Sequence, residues 1–329
     1  MNIDFISAFV NRDAISHHLF LLIYALGLSF VMGMGASVLR GDVYPLIGRL
    51  YPVGFLRLLG RLNNPKRQKA DLILRGLLAF LLVLACMGVY GSFIFFISTK
   101  LNMPIDIDVI HIVVISLCCN IGQAFSLLNF IRRSQQEQRG FFMLARSTAT
   151  DYAIADSSRL YREAIYLVFQ SFSIYGMGIC VFTLLFGVYG ALFYHFLNFT
   201  MVLWMQIRPK SLFIQPLSVI LRLFNFIPHM LFSCLMVVAF IFVPQTSFIR
   251  AILALCQYQS FMQALAQGLK IVLGGNVTNQ YGITCPRAWL GRNTDSAQLN
   301  ITHIYRAFYL YCIMLLLMIM VMLLGVRFL

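Results

Sequence analysis

Eleven carboxylates bound the chemistry open to this chain: Asp4, Asp13, Asp42, Asp71, Asp106, Asp108, Glu137, Asp151, Asp156, Glu163 and Asp295. Only Asp295 follows Glu163. The C-terminal half therefore holds no pair of carboxylates for general acid/base work or for gripping Mg2+, which takes oxygen ligands. The six histidines, His17, His18, His111, His195, His229 and His303, are scattered. His195 and His229 lie in apolar runs with no carboxylate close in sequence to tune them, which favours neutral imidazoles bonded to neighbouring helices over catalytic ones. The eight cysteines form no C-x-x-C pair and fall mostly in apolar runs, where a thiol behaves as a small hydrophobe. No metal site, P-loop or G-x-G-x-x-G turn is expected from these residues.

Three polar constellations remain. Tyr194-x-x-x-Asn198 places a phenol and an amide on one helix face. Asn225-Phe226-Ile227-Pro228 is expected to end an amphipathic stretch bearing Arg222, ahead of a new span. Amides so placed most often bond across membrane helices. The third constellation is residues 268–291, GLKIVLGGNVTNQYGITCPRAWLG, a long interruption bearing glycine and asparagine in an apolar chain. It cannot be a lipid-exposed spanning helix, and it is the first place to expect a ligand.

The elements that must position these groups are membrane helices. The chain is 60% hydrophobic and 11% charged, with a mean hydropathy of +0.83, far from the balance of a soluble globule. Apolar runs at 18–39, 76–98, 109–131, 230–243 extended backwards, and 304–328 are long enough to cross a bilayer, which takes about 20 helical residues. Residues 164–205 carry no ionisable acid or base except His195, and suit two passes with a tight turn or one pass plus a re-entrant segment. The expected fold is an all-α polytopic integral membrane protein, a single domain over residues 1–329, with about five or six transmembrane helices and amphipathic interfacial helices. The polar start and the length of the first span argue against a cleaved signal.

The net charge of +14 follows topology rather than nucleic-acid binding. Basic residues crowd segment 40–75, which the positive-inside rule places in the cytoplasm with the N-terminus outside; the same segment is suited to anionic lipid or, through side chains such as Arg61, to an anionic ligand. The connection after the second span is not basic, and the third span returns to a polar cytoplasmic segment, 132–163. There Asp156-Ser157-Ser158 is a helix-capping sequence ahead of Arg159 and Arg162, and the helix start is also suited to a nucleotide or phosphate contact. The third polar segment is 268–300. Membrane lipids are the expected partners, and nucleic acid is not.

A family resemblance runs from about residue 40 to 310. Tyr194-x-x-x-Asn198, Asn225-x-Ile227-Pro228, Leu273-Gly274-Gly275-Asn276 with Tyr281-Gly282, and Pro286-x-x-Trp289-Leu290-Gly291 resemble blocks of the CobD/CbiB family of cobalamin biosynthesis. Gly41-Asp42, Tyr51-Pro52-Val53 and Gly60-Arg61-Leu62 are similar to that family's opening. The resemblance implies a protein of the bacterial inner membrane that binds a corrinoid. It also implies adenosylcobinamide-phosphate synthase activity, the ATP-dependent joining of aminopropanol phosphate to adenosylcobyric acid, for which ATP and Mg2+ are the expected cofactors. The ligand-binding residues it implies are Tyr194, Asn198, Asn225, Gly274, Gly275, Asn276, Tyr281, Trp289 and Arg61. The family's acids are replaced throughout: Ser147 follows Arg146, Leu221-Arg222 stand ahead of the Asn225 block, and Arg292 follows Gly291 where the family has aspartate. That pattern resembles AmpE, a membrane protein associated with β-lactamase induction, and the run Gln257-Tyr258-Gln259 looks like its counterpart there. The alternative expectation is thus a non-catalytic, AmpE-like binding or signalling protein. An inverted-repeat transporter would need a symmetric pair of broken helices, which the sequence does not offer.

Overall fold

The protein is an all-α polytopic membrane protein. The computed structural model describes residues 12–50, 61–63, 68–100, 107–133, 136–148, 156–207, 211–257, 260–278, 284–285 and 287–328. In chain order the helices are α1 (Arg12–Arg40), α2 (Lys69–Lys100), α3 (Ile107–Cys118), α4 (Ile121–Arg132), α5 (Glu137–Thr148), α6 (Ser157–Ser171), α7 (Ile179–Ile207), α8 (Gln215–Phe242), α9 (Phe248–Cys256), α10 (Phe261–Leu269) and α11 (Ile301–Phe328). A π-helical segment, Phe172–Gly178, joins α6 to α7. Four stretches are long and apolar enough to cross a membrane, Ala14–Leu39, Ser157–Met205, Leu212–Phe242 and Ile301–Phe328, and the bent pair α3 and α4 makes a fifth. Helix α2 is 32 residues long, and its sequence is uncharged from 76 to 99.

The apolar block at 164–205 contains the tight turn. Gly187 sits at φ 64°, ψ −152°, a conformation glycine adopts readily because it has no Cβ, and the chain reverses there. Consequently Phe182 on one arm stacks on Tyr194 of the other, ring centroids 4.5 Å apart, and Tyr175 lies 5.6 Å from His195. The arms are close because Gly178 and Gly190 bring no side chain between them: a Cβ on Gly190 would stand 2.2 Å from the Phe182 carbonyl oxygen.

Two expected spans differ in detail. The run 109–131 is broken between Cys118 and Ile121 and bends by 41°. Asn120, fully buried at the break, donates its amide N–H to the Val43 carbonyl (2.9 Å), and Val43 donates its own N–H to Ser147 Oγ (2.9 Å). The loop after α1 is thereby held inside the bundle, where both backbone polar groups of Val43 find partners. The second difference corrects the expectation at Asn225–Pro228: no helix ends there, because α8 runs through Pro228 without interruption. Proline removes one intrahelical hydrogen bond, but the apolar residues on both sides remain packed, Phe224 against Phe193 (5.7 Å) and Phe232 against Phe172 (5.8 Å).

One large apolar core joins α1, α3, α4, α6, α7, α8, α10 and α11, while Ala79, Phe80, Leu197, Trp204, Phe213 and Leu217 form a second cluster around α2. Cys118, Cys119 and Cys180 are buried in the first, as small hydrophobes.

Candidate functional site

The polar interruption after α10 folds back on itself. Strand β1 (Leu273–Gly274) pairs antiparallel with β4 (Trp289–Leu290), and β2 (Val277–Thr278) with β3 (Thr284–Cys285). These short pairs satisfy backbone groups that a helix would otherwise have to satisfy. The Gln263 side chain of α10 locks the end of β4: its Nε2 donates to the Gly291 carbonyl (3.2 Å), and its Oε1 accepts from the Gly291 N–H (3.1 Å).

The loop packs against the first turns of α6. Ser158 Oγ accepts the Leu299 N–H at 2.8 Å, and Arg287 Nη1 donates to Glu163 Oε2 at 3.0 Å. Segments 132–163 and 268–300, far apart in sequence, therefore meet at one site. Helix α6 begins at Ser157 as its capping sequence implies, but the Asp156 side chain makes no capping bond, and Ser158 faces the loop instead.

Both carboxylates at this site are closed by arginines. The Glu163 side chain is 3% exposed and paired to Arg287; the Asp295 side chain is 1% exposed, held by Arg250 Nη1 (3.1 Å) and by the Arg292 backbone N–H (2.8 Å). Burial of a carboxylate demands such partners, since desolvation of an unpaired charge costs far more than the pair returns. Two further arginines of α6 lie on the same side. The Arg162 guanidinium stacks over the Trp289 indole, 5.0 Å from the ring centroid, and Arg287 lies equally far over Tyr166. Among the described residues, Nε and Nη2 of Arg159 and Nε of Arg162 are buried without a hydrogen-bond partner.

The nine residues singled out from sequence divide into separate groups. Asn225 Nδ2 donates to Asn198 Oδ1 (3.0 Å), and Asn198 Nδ2 donates to the Tyr194 carbonyl (3.0 Å), so Tyr194, Asn198 and Asn225 converge between α7 and α8 as bonds across and along helices. Gly274, Gly275 and Trp289 converge in the loop. Arg61 is exposed and flanks Asn63, which accepts a bond from Ser211 Oγ (2.6 Å). Asn276 is exposed between β1 and β2, and Tyr281 lies outside the described residues. Of the apolar-run histidines, His229 shares a 2.6 Å hydrogen bond with Ser173 of the π segment, while His195 is fully buried and stacked on Phe199 at 5.6 Å. Arg287, Arg250, Gln263 and Glu163 carry the geometry of the loop site without having been selected from sequence. Their only signal there is the charged or polar residue type in an otherwise apolar half.

Gly275 holds the Trp289 ring in place. Its φ is +91°, and a Cβ would meet the indole at 2.6 Å, so an alanine is strained by backbone and by space alike. Gly275→Ala is expected to push the indole outward. With Trp204 replaced by phenylalanine so that Trp289 reports alone, acrylamide quenching of its fluorescence should increase; unchanged quenching contradicts the contact.

Among the described residues, no group of three or more His, Cys, Asp or Glu side chains could hold a metal ion. The residues at the site do not fit a Mg2+–ATP centre, because Glu163 and Asp295 already direct carboxylate oxygens at arginines and lack the open oxygen face that Mg2+ requires. No family model, curated protein or solved structure matches the chain.

Proposed function

We propose that this protein is a ligand-binding membrane protein of the bacterial inner membrane, related to the CobD/CbiB family in scaffold but without its amide-ligating activity, and AmpE-like in that respect. The observation that carries this reading is the closure of Glu163 and Asp295 by Arg287 and Arg250. Amide ligation driven by ATP needs carboxylates to hold Mg2+ and a base to take the proton of the attacking amine. At this site both carboxylates serve instead to fix the loop, and the groups left over are arginine donors and an exposed indole. Such a set binds and orients an anion; it does not abstract a proton. A corrinoid, whose propionate-derived side chains and macrocycle match arginines and an indole, is the ligand that the family resemblance favours.

The test is direct. Purified protein supplied with adenosylcobyric acid, aminopropanol phosphate, ATP and Mg2+ is expected to form no amide product above background, as followed by chromatography of the corrinoids. Multiple turnovers in that assay defeat the non-catalytic reading and restore the synthase.

A further inference from the structure

Arg159 and Arg162 present an unusual demand. Guanidinium groups are rarely buried unless paired, yet Nε and Nη2 of Arg159 and Nε of Arg162 are shut away from solvent with no acceptor among the described residues. The two residues are three apart on α6, a spacing that puts their side chains on one face of the helix, so two like charges stand side by side. The neighbouring carboxylate of Glu163 accepts its hydrogen bond from Arg287 instead. On the open side of Arg162 lies Trp289, 60% exposed, its ring fixed from behind by Gly275. The arrangement thus sets three unanswered nitrogen donors of two neighbouring arginines beside a solvent-facing aromatic wall.

We propose that Arg159 and Arg162 are the receptor for a phosphate group, with Trp289 flanking the organic part of the same ligand. A phosphate suits the pair better than a carboxylate does: it offers at least three acceptor oxygens and up to two negative charges, enough to engage both arginines, and arginine matches that geometry. The phosphate belongs to a lipid headgroup or to a soluble phosphoester; the recognition chemistry is common to both. This assignment rests on the binding reading above and names the ligand class for it.

The experiment uses the full chain in phosphatidylcholine nanodiscs, with inorganic pyrophosphate as the soluble probe and added phosphatidic acid as the lipid probe. Thermal unfolding is expected to shift upward with one of them, pyrophosphate identifying a soluble ligand and phosphatidic acid a lipid one. Arg159→Met and Arg162→Met should each weaken that binding roughly tenfold or more, the usual consequence of losing a charge-assisted hydrogen bond. Arg292→Gln removes the same charge from an exposed position of the same loop and should leave binding intact. The unliganded protein supplies the second readout. If the arginines are kept for a ligand, Arg159→Met removes buried unsatisfied donors and leaves the melting temperature of the free protein equal or higher. A shift from neither probe, or a destabilised Arg159→Met protein that still binds normally, overturns the proposal. Amide turnover with phosphate binding intact would instead overturn only the non-catalytic reading, and absence of both would overturn only this assignment.

Discussion

Replacing Arg287 with methionine is expected to destabilise the protein by about 3–5 kcal/mol, the usual cost of stranding a buried charge. The Glu163 side chain is 3% exposed and cannot turn to water when its partner is lost. The reverse deletion should be milder. In Glu163→Gln the amide remains a hydrogen-bond acceptor, and the Arg287 side chain, 35% exposed, can reach solvent. The double variant Glu163→Gln, Arg287→Met should recover most of the loss, because no unpaired charge is left inside. Denaturant or thermal unfolding of the four proteins in one detergent measures the cycle. If Arg287→Met stays within about 1 kcal/mol of the parent, the pair does not hold the loop to α6 in the way described.

Gly122→Ala is expected to cost roughly 3 kcal/mol, toward the upper end for overpacking, although it adds one methyl group. Helices α1 and α4 cross with Gly33 and Gly122 face to face, and a Cβ on Gly122 would stand 2.3 Å from the Phe30 carbonyl oxygen and 2.8 Å from the Met34 nitrogen. Both obstacles are backbone, so no side chain can rotate out of the way and the helices must separate. Separation would also loosen Phe30 from Phe125, whose rings are 5.0 Å apart. Gly27, on the same helix, has nothing within 4 Å of its Cβ position. Gly27→Ala should therefore be neutral or stabilising by about 0.5–1 kcal/mol, from helix propensity alone. Equal stabilities for the two variants would rule out the close crossing.

The residues that hold the candidate site are of two kinds, and only one of them is visible in sequence. Glycines 274 and 275, Asn276 and Trp289 stand out as a polar patch in an apolar chain. Arg287 and Glu163 do not stand out, because their meaning depends on residues 124 positions apart meeting where the loop returns to α6. Asp295 is legible as an isolated acid and could be taken for a catalytic remnant; its contacts with Arg250 and the Arg292 N–H make it a structural anchor. At Pro228 the sequence favours a boundary that packing overrides, since Phe224 and Phe232, on either side of it, are both held by aromatic neighbours.

Composition and run length alone determine that this is a helical membrane protein, because hydrocarbon leaves every spanning backbone group to be satisfied within its own helix, and about 20 apolar residues are needed to cross it. The scarcity of acids after Glu163 likewise belongs to the sequence, and no folding could add carboxylates to the C-terminal half. The tertiary structure decides where the remaining charges go. The reversal at Gly187, the break at Asn120 and the docking of the loop on α6 depend on contacts between residues distant in sequence, which local periodicity does not encode. The same docking pairs Glu163 and Asp295 with arginines and leaves Arg159 and Arg162 with unanswered donors, since a buried charge takes its character from its neighbours in space.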